Sequence, residues 1–216
     1  MEHPYKLKNQ DIVLGYWPNE CPFCHKHINP DDFGYNFERG FLDLVFKCSY
    51  TYCKRLFIVR YQTQNEYSFF FDSITIGEIK PIVFSQEINS TSPSFVKIYN
   101  EANFAETNHL LEICGVGYRK ALEFLIKDYI IKKHPERSDS IKKKFLGKCI
   151  QEDVTDTKII AVSKRAAWLG NDETHYVREW TEENLDSLKK LIALTTHWIE
   201  MEILTDSFEK KMPDKK

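Results

Sequence analysis

The chain has 216 residues and a formal net charge of −2, with 42% hydrophobic and 29% charged residues. This balance is typical of a globular protein, so a wholly disordered chain is excluded. A uniformly basic nucleic-acid-binding protein is excluded as well, but a local basic patch is not.

The first residues predict neither secretion nor membrane insertion. Polar residues follow Met1 and lead into no apolar stretch of the kind found in a signal peptide. No segment reaches the roughly 18 apolar residues that a membrane-spanning helix needs. We therefore expect a cytoplasmic protein with reduced thiols, in which closely spaced cysteines are better explained as metal ligands than as disulfides.

Residues 11 to about 79 are rich in aromatic and β-branched residues and show almost no helical periodicity. The turn sequence Glu38-Arg39-Gly40 between two aromatic runs predicts a β-hairpin. Short runs of the same character predict β-strands at 41–46, 56–61, 67–71 and 74–76. We therefore expect a small β domain over residues 1–79.

Turn-forming residues dominate 80–92, which predicts a linker. Ser92 has the side chain of a helix N-cap, and Pro93 suits the first helical position. From there hydrophobic residues recur at helical spacing. Residues 93–207 are therefore predicted to form a helical bundle, followed by a flexible tail over 208–216.

Two glycines divide the first part of the predicted bundle. We predict one helix that begins at Pro93 and a second that ends near Pro135, with Gly115 and Gly117 in a tight turn between them. The Gly-x-Gly sequence is too short for a nucleotide-binding fingerprint, and no strand precedes it. Three further helices are predicted over 139–151, over 155–169 and from Thr181 as the N-cap to about Leu204.

Four cysteines form two pairs, with the spacings Cys-x2-Cys and Cys-x4-Cys and 23 residues between the pairs: Cys21, Cys24, Cys48 and Cys53. A short turn between two cysteines places two thiolates on one side of a metal ion, and two such turns complete a tetrahedron. The spacing predicts a structural zinc ion in a β-ribbon too small to fold on its own core, so that metal binding supplies much of its folding free energy. The predicted fold class is therefore α+β.

The cysteine spacing is also compatible with two alternatives to a four-thiolate zinc site. The four thiols could be reduced and without a metal, or His25 or His27 could replace one of them as a ligand. A catalytic zinc is disfavoured, because four thiolates leave no coordination position for water. Cys114 and Cys149 lie in helical context and are predicted to be small core residues.

Three separated segments of the helical part carry a family resemblance: 98–102 (IYNEA), 115–123 (GVGYRKALE) and 166–175 (AAWLGNDETH). In this order behind a cysteine ribbon they resemble the bacterial domain-of-unknown-function family numbered 4145, over about residues 80–205. That family looks like a branch of the HEPN superfamily of compact helical bundles. The resemblance implies a HEPN-like bundle behind the zinc ribbon.

The resemblance also implies an activity. Many HEPN proteins are metal-independent RNases of defence and toxin systems, with an Arg four to six residues before a His and a site commonly completed across a dimer. His175 matches the family histidine, and an imidazole suits proton transfer near neutral pH. Asn171 would share a helix face with it. We therefore expect a homodimer in which these two residues belong to the catalytic site.

The chain departs from the family pattern at the cation that would face the phosphate. The nearest upstream arginine, Arg165, would lie about 80° around and about 15 Å along a continuous helix from His175. Arg119 in the second predicted helix is the other candidate. Arg178, close after His175, could substitute for either.

The same residues could also have purely structural roles. Gly170 and Asn171 could form a helix C-cap, and His175 could be a packing residue of the bundle. Glu101 and Arg119 could be a buried pair that locks the first two helices together.

The segment from Arg119 to Lys148 contains ten basic and four acidic residues. Such a patch binds phosphate backbones without sequence preference, although it could also be a solvated helix face. The residues predicted to contact nucleic acid are Lys132, Lys133, Lys142, Lys143 and Lys144.

Three functions are compatible with these patterns. The first is a HEPN-like endoribonuclease acting on RNA in phage defence or a toxin system. The second is a non-catalytic module that binds RNA or DNA and dimerises through the bundle, and the third is a protein-interaction scaffold. The missing arginine spacing favours the second over the first, whereas the retained Asn171 and His175 favour the first over the third. The patterns together favour a nucleic-acid-associated, HEPN-like protein.

Overall fold

A computed structural model describes residues 3–7, 10–63, 65 and 67–213. The chain divides into two compact units, Met1–Lys80 and Pro81–Lys216. The first unit is built on a β-sheet and the second on helices, so the predicted α+β class is confirmed.

The first unit contains a six-stranded sheet with the strand order β1-β2-β6-β5-β4-β3. Its strands are β1 His3–Leu7, β2 Gln10–Leu14, β3 Asp31–Glu38, β4 Phe41–Lys47, β5 Leu56–Thr63 and β6 Ser68–Ile74. Neighbouring strands are antiparallel, except that β2 pairs parallel with β6. The predicted hairpin at Glu38-Arg39-Gly40 joins β3 to β4, with Arg39 and Gly40 at positive φ.

The prediction of a separate strand over 74–76 is wrong. A bulge between Arg60 and Tyr61 of β5 shifts the register, so β6 stays paired as far as Ile74, opposite Val59. The strands β1, β2 and β3 were not predicted individually, because their hydrophobic alternation is weak. In β3 the residues are mostly exposed.

Alternate residues of β4 and β5 point into the core of the sheet: Leu42, Leu44, Phe46, Phe57, Val59 and Tyr61. The sheet curls over this face. Tyr5 of β1 donates a hydrogen bond to the Asp32 carboxylate of β3, and the Phe37 ring of β3 lies 6.0 Å from the Phe69 ring of β6. Curling therefore brings strands that are distant in the sheet order into contact and encloses the core. The prediction of a ribbon too small to have a core of its own is wrong, because six strands together bury these side chains.

Seven α-helices and one short 3-10 helix, Pro135–Arg137, form the described part of the second unit. The α-helices are α1 Gln86–Thr91, α2 Pro93–Thr107, α3 Leu111–Lys133, α4 Ser138–Lys143, α5 Leu146–Glu152, α6 Thr157–Asp172 and α7 Leu185–Lys211. Helix α3 packs against α2, α6 and α7 and is the centre of the bundle. Its core residues include Tyr118, Leu122, Leu125, Ile126 and Tyr129. No helix in the described residues is both long and apolar enough to cross a membrane.

The segment 80–92, predicted to be a linker, contains helix α1. Ser85 caps this helix by accepting a hydrogen bond from the Ile88 N–H. The Asn100 side chain of α2 also binds the backbone of Ile82 through both its oxygen and its nitrogen. The predicted N-cap at Ser92 is confirmed, since its side chain accepts from Phe95 N–H.

The prediction of a turn at Gly115 and Gly117 is also wrong. Both glycines lie inside α3, which is one continuous helix of 23 residues. The chain reverses earlier, before Leu111, where His109 adopts a positive φ of 60°. Each glycine costs helix stability of about 1 kcal/mol relative to alanine, but close packing against neighbouring elements outweighs this cost.

The later helix boundaries also differ from the predictions. The predicted helix 139–151 is two helices, α4 and α5, because Lys144 and Phe145 between them are extended. The last helix begins after Asn184, whose side chain accepts from Ser187 N–H, and not at Thr181. It continues to Lys211, so the predicted flexible tail is helical over its first residues. Two lysines in its last turn favour this extension because they face the negative end of the helix dipole.

The short helices α4 and α5 are joined by an ion-pair network around Asp153. Its carboxylate is 1% exposed and binds Arg137 and, at 2.6 Å, the Lys144 amine. Burial opposes ionisation of Asp153, but the hydrogen bonds from Lys144 and Arg137 outweigh it and lower the pKa of this carboxyl group. The charged form is therefore stabilised by folding.

Replacing Asp153 by Asn should lower the free energy of unfolding by about 1–2 kcal/mol near neutral pH, because two charge-assisted hydrogen bonds are weakened. The contribution of Asp153 is fully present above the ordinary carboxyl pKa of about 3.9 and is lost as the pH falls through the lowered, folded-state pKa. Urea denaturation should therefore show a difference in the free energy of unfolding between the wild type and Asp153→Asn that becomes smaller in acid.

Glu101→Gln is the matched control for this substitution. Glu101 is exposed on α2 and lies 3.9 Å from the Lys97 amine, and exposed pairs of this kind contribute about 0–1 kcal/mol. An Asp153→Asn effect no larger than that of Glu101→Gln would contradict the structural role of the network.

Candidate functional site

The four predicted ligands of the first unit converge on one point. Their Sγ atoms all lie within 4.8 Å of one another, and the group of metal-capable side chains contains Cys21, Cys24, Cys48 and Cys53. The distance between Sγ atoms is 3.8 Å for Cys21 and Cys53 and 3.8 Å for Cys24 and Cys48. Sulfur atoms in a disulfide are about 2.05 Å apart, so these thiols are not bonded to each other. The arrangement can hold a metal ion.

Each cysteine pair sits on a turn with the same backbone geometry. The residue directly after the second cysteine is left-handed in both turns, with φ 55° at His25 and φ 54° at Lys54. In the first turn a backbone N–H group also points back at a sulfur atom. Phe23 N lies 3.4 Å from Cys21 Sγ, and such hydrogen bonds orient thiolate ligands.

The electrostatics of the cluster favour a bound cation. Burial raises the pKa of the Cys48 thiol to about 12 and also raises the pKa of Cys21. Burial opposes ionisation of Cys24 too, but hydrogen bonds from Lys26 N–H and the neighbouring thiols lower its pKa. Four thiolates this close repel each other, and a metal cation removes this penalty and deprotonates its ligands.

Neither histidine next to the first turn belongs to the four-ligand group. His27 is exposed, and His25 Nδ1 lies 3.8 Å from a Glu20 carboxylate oxygen. Within the described residues, the His25 Nε2 atom is buried without a hydrogen-bond partner. Because the close group of ligand atoms in the described residues contains the four cysteines and no histidine, the alternative in which a histidine replaces a cysteine is not supported.

In the second unit the candidate residues meet where the end of α6 packs on α3. Arg119 of α3 donates from Nε to Asn171 Oδ1 at 3.0 Å and from its terminal nitrogen to Glu123 at 2.8 Å. This approach requires Gly170, because a Cβ atom there would lie 2.8 Å from the Cβ atom of Arg119.

A loop over 173–180 follows α6 and is fixed by the last residue of the helix. The buried carboxylate of Asp172 accepts hydrogen bonds from the backbone N–H groups of Glu179, at 3.1 Å, and Trp180, at 2.8 Å. The Trp180 ring stacks on the Trp168 ring of α6, with centroids 5.8 Å apart and planes 8° apart.

The start of this loop packs on α3 at a second glycine. A Cβ atom at Gly115 would lie 2.7 Å from the Cβ atom of Glu173. Glu173 also accepts a hydrogen bond from Arg178 at 2.8 Å, so that arginine is held within the loop. Both glycines therefore serve as contact points between α3 and the end of α6.

His175 lies in this loop and is exposed, so the hypothesis that it is a packing residue of the bundle is wrong. Together with Asn171 it lines a cavity of about 500 Å³, which we call the His175 cavity. Trp168, Asp172 and Tyr176 also line it. An exposed imidazole beside an amide and an aromatic ring can exchange protons with a bound ligand.

Arg165 lies outside the His175 cavity. It faces a separate cavity of about 520 Å³, which we call the tryptophan cavity and which is lined by Arg165, Trp168, Trp180, Glu183, Ser187 and Lys190 among others. One of its guanidinium nitrogens donates to the Ala161 carbonyl at 2.7 Å. The structure thus brings together Arg119 and Asn171, and Asn171 and His175, but not Arg165 with His175.

Two structural hypotheses about these residues are wrong. Glu101 is exposed and near Lys97, whereas Arg119 pairs with Glu123, so no Glu101–Arg119 lock exists between the described helices. Gly170 and Asn171 do not cap α6 either, because the helix continues to Asp172 and Glu173 is the C-cap.

The predicted nucleic-acid-binding lysines differ in their surroundings. Lys133 binds Glu202 and lies 3.6 Å from Asp206, and Lys144 binds Glu152 and Asp153. Those carboxylates lie outside the segment Arg119–Lys148. The excess of basic residues counted within the segment is therefore larger than the positive charge that surrounds these lysines in the fold. Lys132 donates to Thr91 at 2.8 Å, while Lys142 and Lys143 are exposed.

Sequence reasoning missed Asp172 and the stacked Trp168–Trp180 pair. Trp168 and Asp172 are four residues apart, and this spacing predicts that they share one face of α6. The partner Trp180 lies beyond a loop without periodicity, so nothing in the sequence pairs it with Trp168.

The chain was compared with protein-family models, with curated proteins and with solved structures, and none of them matches.

Gly170→Ala should disturb the contact between α3 and α6. The added methyl group meets the Arg119 side chain close to its backbone, and overpacking of this kind costs about 1–3 kcal/mol of unfolding free energy. Thermal and urea denaturation followed by circular dichroism would measure this loss.

Gly147→Ala is the matched control. A Cβ atom at this position in α5 meets nothing within 4 Å, so the substitution should leave stability unchanged or raise it slightly because alanine has the higher helix propensity. Equal stability of the two variants would show that the Gly170 contact is not tight.

Proposed function

We propose that this protein is an RNA-directed zinc protein in which a HEPN-like helical unit cleaves RNA without a catalytic metal. The N-terminal zinc is structural. The observation that carries the catalytic part is that Asn171 accepts a hydrogen bond from Arg119 of α3 and lines the His175 cavity together with the exposed His175.

The donor set and its spacing support zinc as the metal. Zinc–sulfur bonds of about 2.3 Å in a tetrahedron separate the sulfur atoms by about 3.8 Å. The separations for Cys21–Cys53 and Cys24–Cys48 are 3.8 Å. Four soft thiolates favour zinc over magnesium or calcium and leave no position for a reacting water molecule. When bound, the ion cross-links the two turns of the first unit.

The purified protein should contain one zinc ion per chain, measured by elemental mass spectrometry. Cys48→Ser should lower the zinc content strongly and lower the thermal stability of the first unit, because metal binding is coupled to the folding of the two cysteine turns. Cys114→Ala is the control, since this cysteine lies in α3 and outside the cluster. Full zinc content in Cys48→Ser, or none in the wild type, would refute the assignment.

The proposed reaction uses only groups of the helical unit. The 2′-hydroxyl oxygen of RNA attacks the adjacent phosphorus atom, the bond to the 5′-oxygen breaks, and a 2′,3′-cyclic phosphate and a 5′-hydroxyl result. The 2′-hydroxyl loses a proton and the 5′-oxygen gains one; His175 makes one of these two transfers, and solvent water makes the other. Arg119, oriented by Asn171, stabilises the charge that develops on the phosphate. A homodimer would place a second copy of these groups next to the first.

One observation favours the alternative, a non-catalytic nucleic-acid-binding module. Glu123 already neutralises Arg119: burial opposes ionisation of Glu123, but hydrogen bonds from Lys127 and Arg119 lower its pKa. Lys142 and Lys143 are exposed for phosphate contacts. In this alternative the bundle binds RNA or a protein partner, and His175 transfers no proton.

Cleavage of labelled single-stranded RNA should proceed without added divalent metal. His175→Ala should slow it about a hundredfold or more, because general acid–base catalysis contributes about 10²–10⁴-fold. His197→Ala is the matched control, since this histidine is 71% exposed on α7. Products carrying a cyclic phosphate would identify the reaction. Binding without cleavage would support the alternative, and cleavage that survives in His175→Ala would refute the assignment of His175.

A further inference from the structure

The tryptophan cavity lies beside the His175 cavity, and Trp168 lines both. Its volume of about 520 Å³ falls within the range of small-ligand sites. We propose that it binds one unpaired nucleotide, with the base stacked on the indole rings and the phosphate held by Arg165 and Lys190. Nucleotide binding in this cavity does not depend on the proposed function. Only the assignment of the nucleotide to an RNA strand rests on it.

The aromatic part of the cavity suits a nucleobase. Trp168 is 39% exposed and Trp180 is 43% exposed, and their rings are nearly parallel. The loop that carries Trp180 is held by the two backbone hydrogen bonds to Asp172, so the ring pair is formed before a ligand arrives. Stacking of a base on such rings is strong and independent of base identity.

The cations of the cavity are available to an anion. Within the described ranges, neither Arg165 nor Lys190 forms an ion pair, in contrast to Lys133 and Lys144 of the basic segment. Glu183 is the one carboxylate among the described residues that line the cavity, so its formal charge remains positive. A flat aromatic group with an attached phosphate therefore matches the cavity in both shape and charge.

The position of the cavity indicates which form of nucleic acid would enter. A base in a duplex is stacked on its neighbours and cannot reach the indole rings. A single strand that places one nucleotide in the tryptophan cavity can continue toward the His175 cavity, because Trp168 lines both. The expected occupant is therefore a nucleotide of single-stranded RNA, and a free mononucleotide has the same recognition chemistry.

Binding should be measured with two probes, adenosine 5′-monophosphate and a short single-stranded oligoadenylate, by tryptophan fluorescence and calorimetry. Trp180→Leu should weaken binding about five- to hundredfold, the range observed for loss of one base–aromatic stack. The double substitution Arg165→Gln and Lys190→Gln should weaken binding and reduce the salt dependence of oligoadenylate binding by about 0.7 in log–log slope for each lost phosphate contact.

Two control variants test whether the effects belong to the cavity. Phe145→Leu removes an aromatic side chain that is 80% exposed on the connection between α4 and α5, and Lys97→Gln removes a cation that is 77% exposed on α2. Both should bind as the wild type does. The double substitution of Arg165 and Lys190 alters exposed positions, so it tests the cavity even if Trp180→Leu loosens the loop.

The outcomes separate this inference from the proposed function. Loss of mononucleotide affinity in the cavity variants identifies a free nucleotide as an occupant, and loss confined to oligoadenylate identifies the strand. Unchanged affinity for both probes, or no binding of either, overturns the inference. RNA cleavage that depends on His175 but not on Trp180 would support the proposed function and contradict the nucleotide site. Nucleotide binding that depends on Trp180, without any RNA cleavage, would support the nucleotide site and contradict the proposed catalysis.

Discussion

The close packing of helix α3 on the end of α6 is the contact on which the candidate site of the helical unit depends. Because Gly170 has no Cβ atom, the Arg119 side chain can pack against it, and Glu173 packs against Gly115 for the same reason. The two helices therefore approach each other closely at two points. The approach brings Arg119 to Asn171 and holds the start of the loop that carries His175. Asp172 then fixes the other end of the loop through two backbone hydrogen bonds. Reactive and aromatic groups are thus presented by a rigid support.

The first unit is organised by a different constraint. Its sheet encloses a core of its own, and each of the two turns that carry the cysteines ends in a left-handed residue. Four thiols placed this close are unfavourable as anions unless a cation lies between them. The four cysteines could hold a metal ion that would cross-link these turns, whereas the helical unit is held by packing and ion pairs.

The fold of the helical unit pairs some basic residues with carboxylates from other helices. Lys133 pairs with carboxylates of α7, and Arg137 and Lys144 pair with carboxylates at the end of α5, so part of the basic character visible in the sequence is neutralised. Arg165 and Lys190 instead face a cavity with stacked indole rings. For recognition of nucleic acid, two cations beside aromatic rings are more informative than lysines that pair with carboxylates, as Lys133 and Lys144 do.

Much of the local structure was predictable from the sequence: the α+β order of the units, the hairpin at Arg39-Gly40, the cap at Ser92 and the four cysteines that meet. These features depend on residues a few positions apart or on a spacing that a metal imposes. Only the tertiary structure decided that α3 runs through its glycines, that Arg119 and not Arg165 joins Asn171, and that Trp180 stacks on Trp168. Arg119 and Asn171 are 52 positions apart, and a contact of that kind exists only after the helices have packed, which no local pattern encodes.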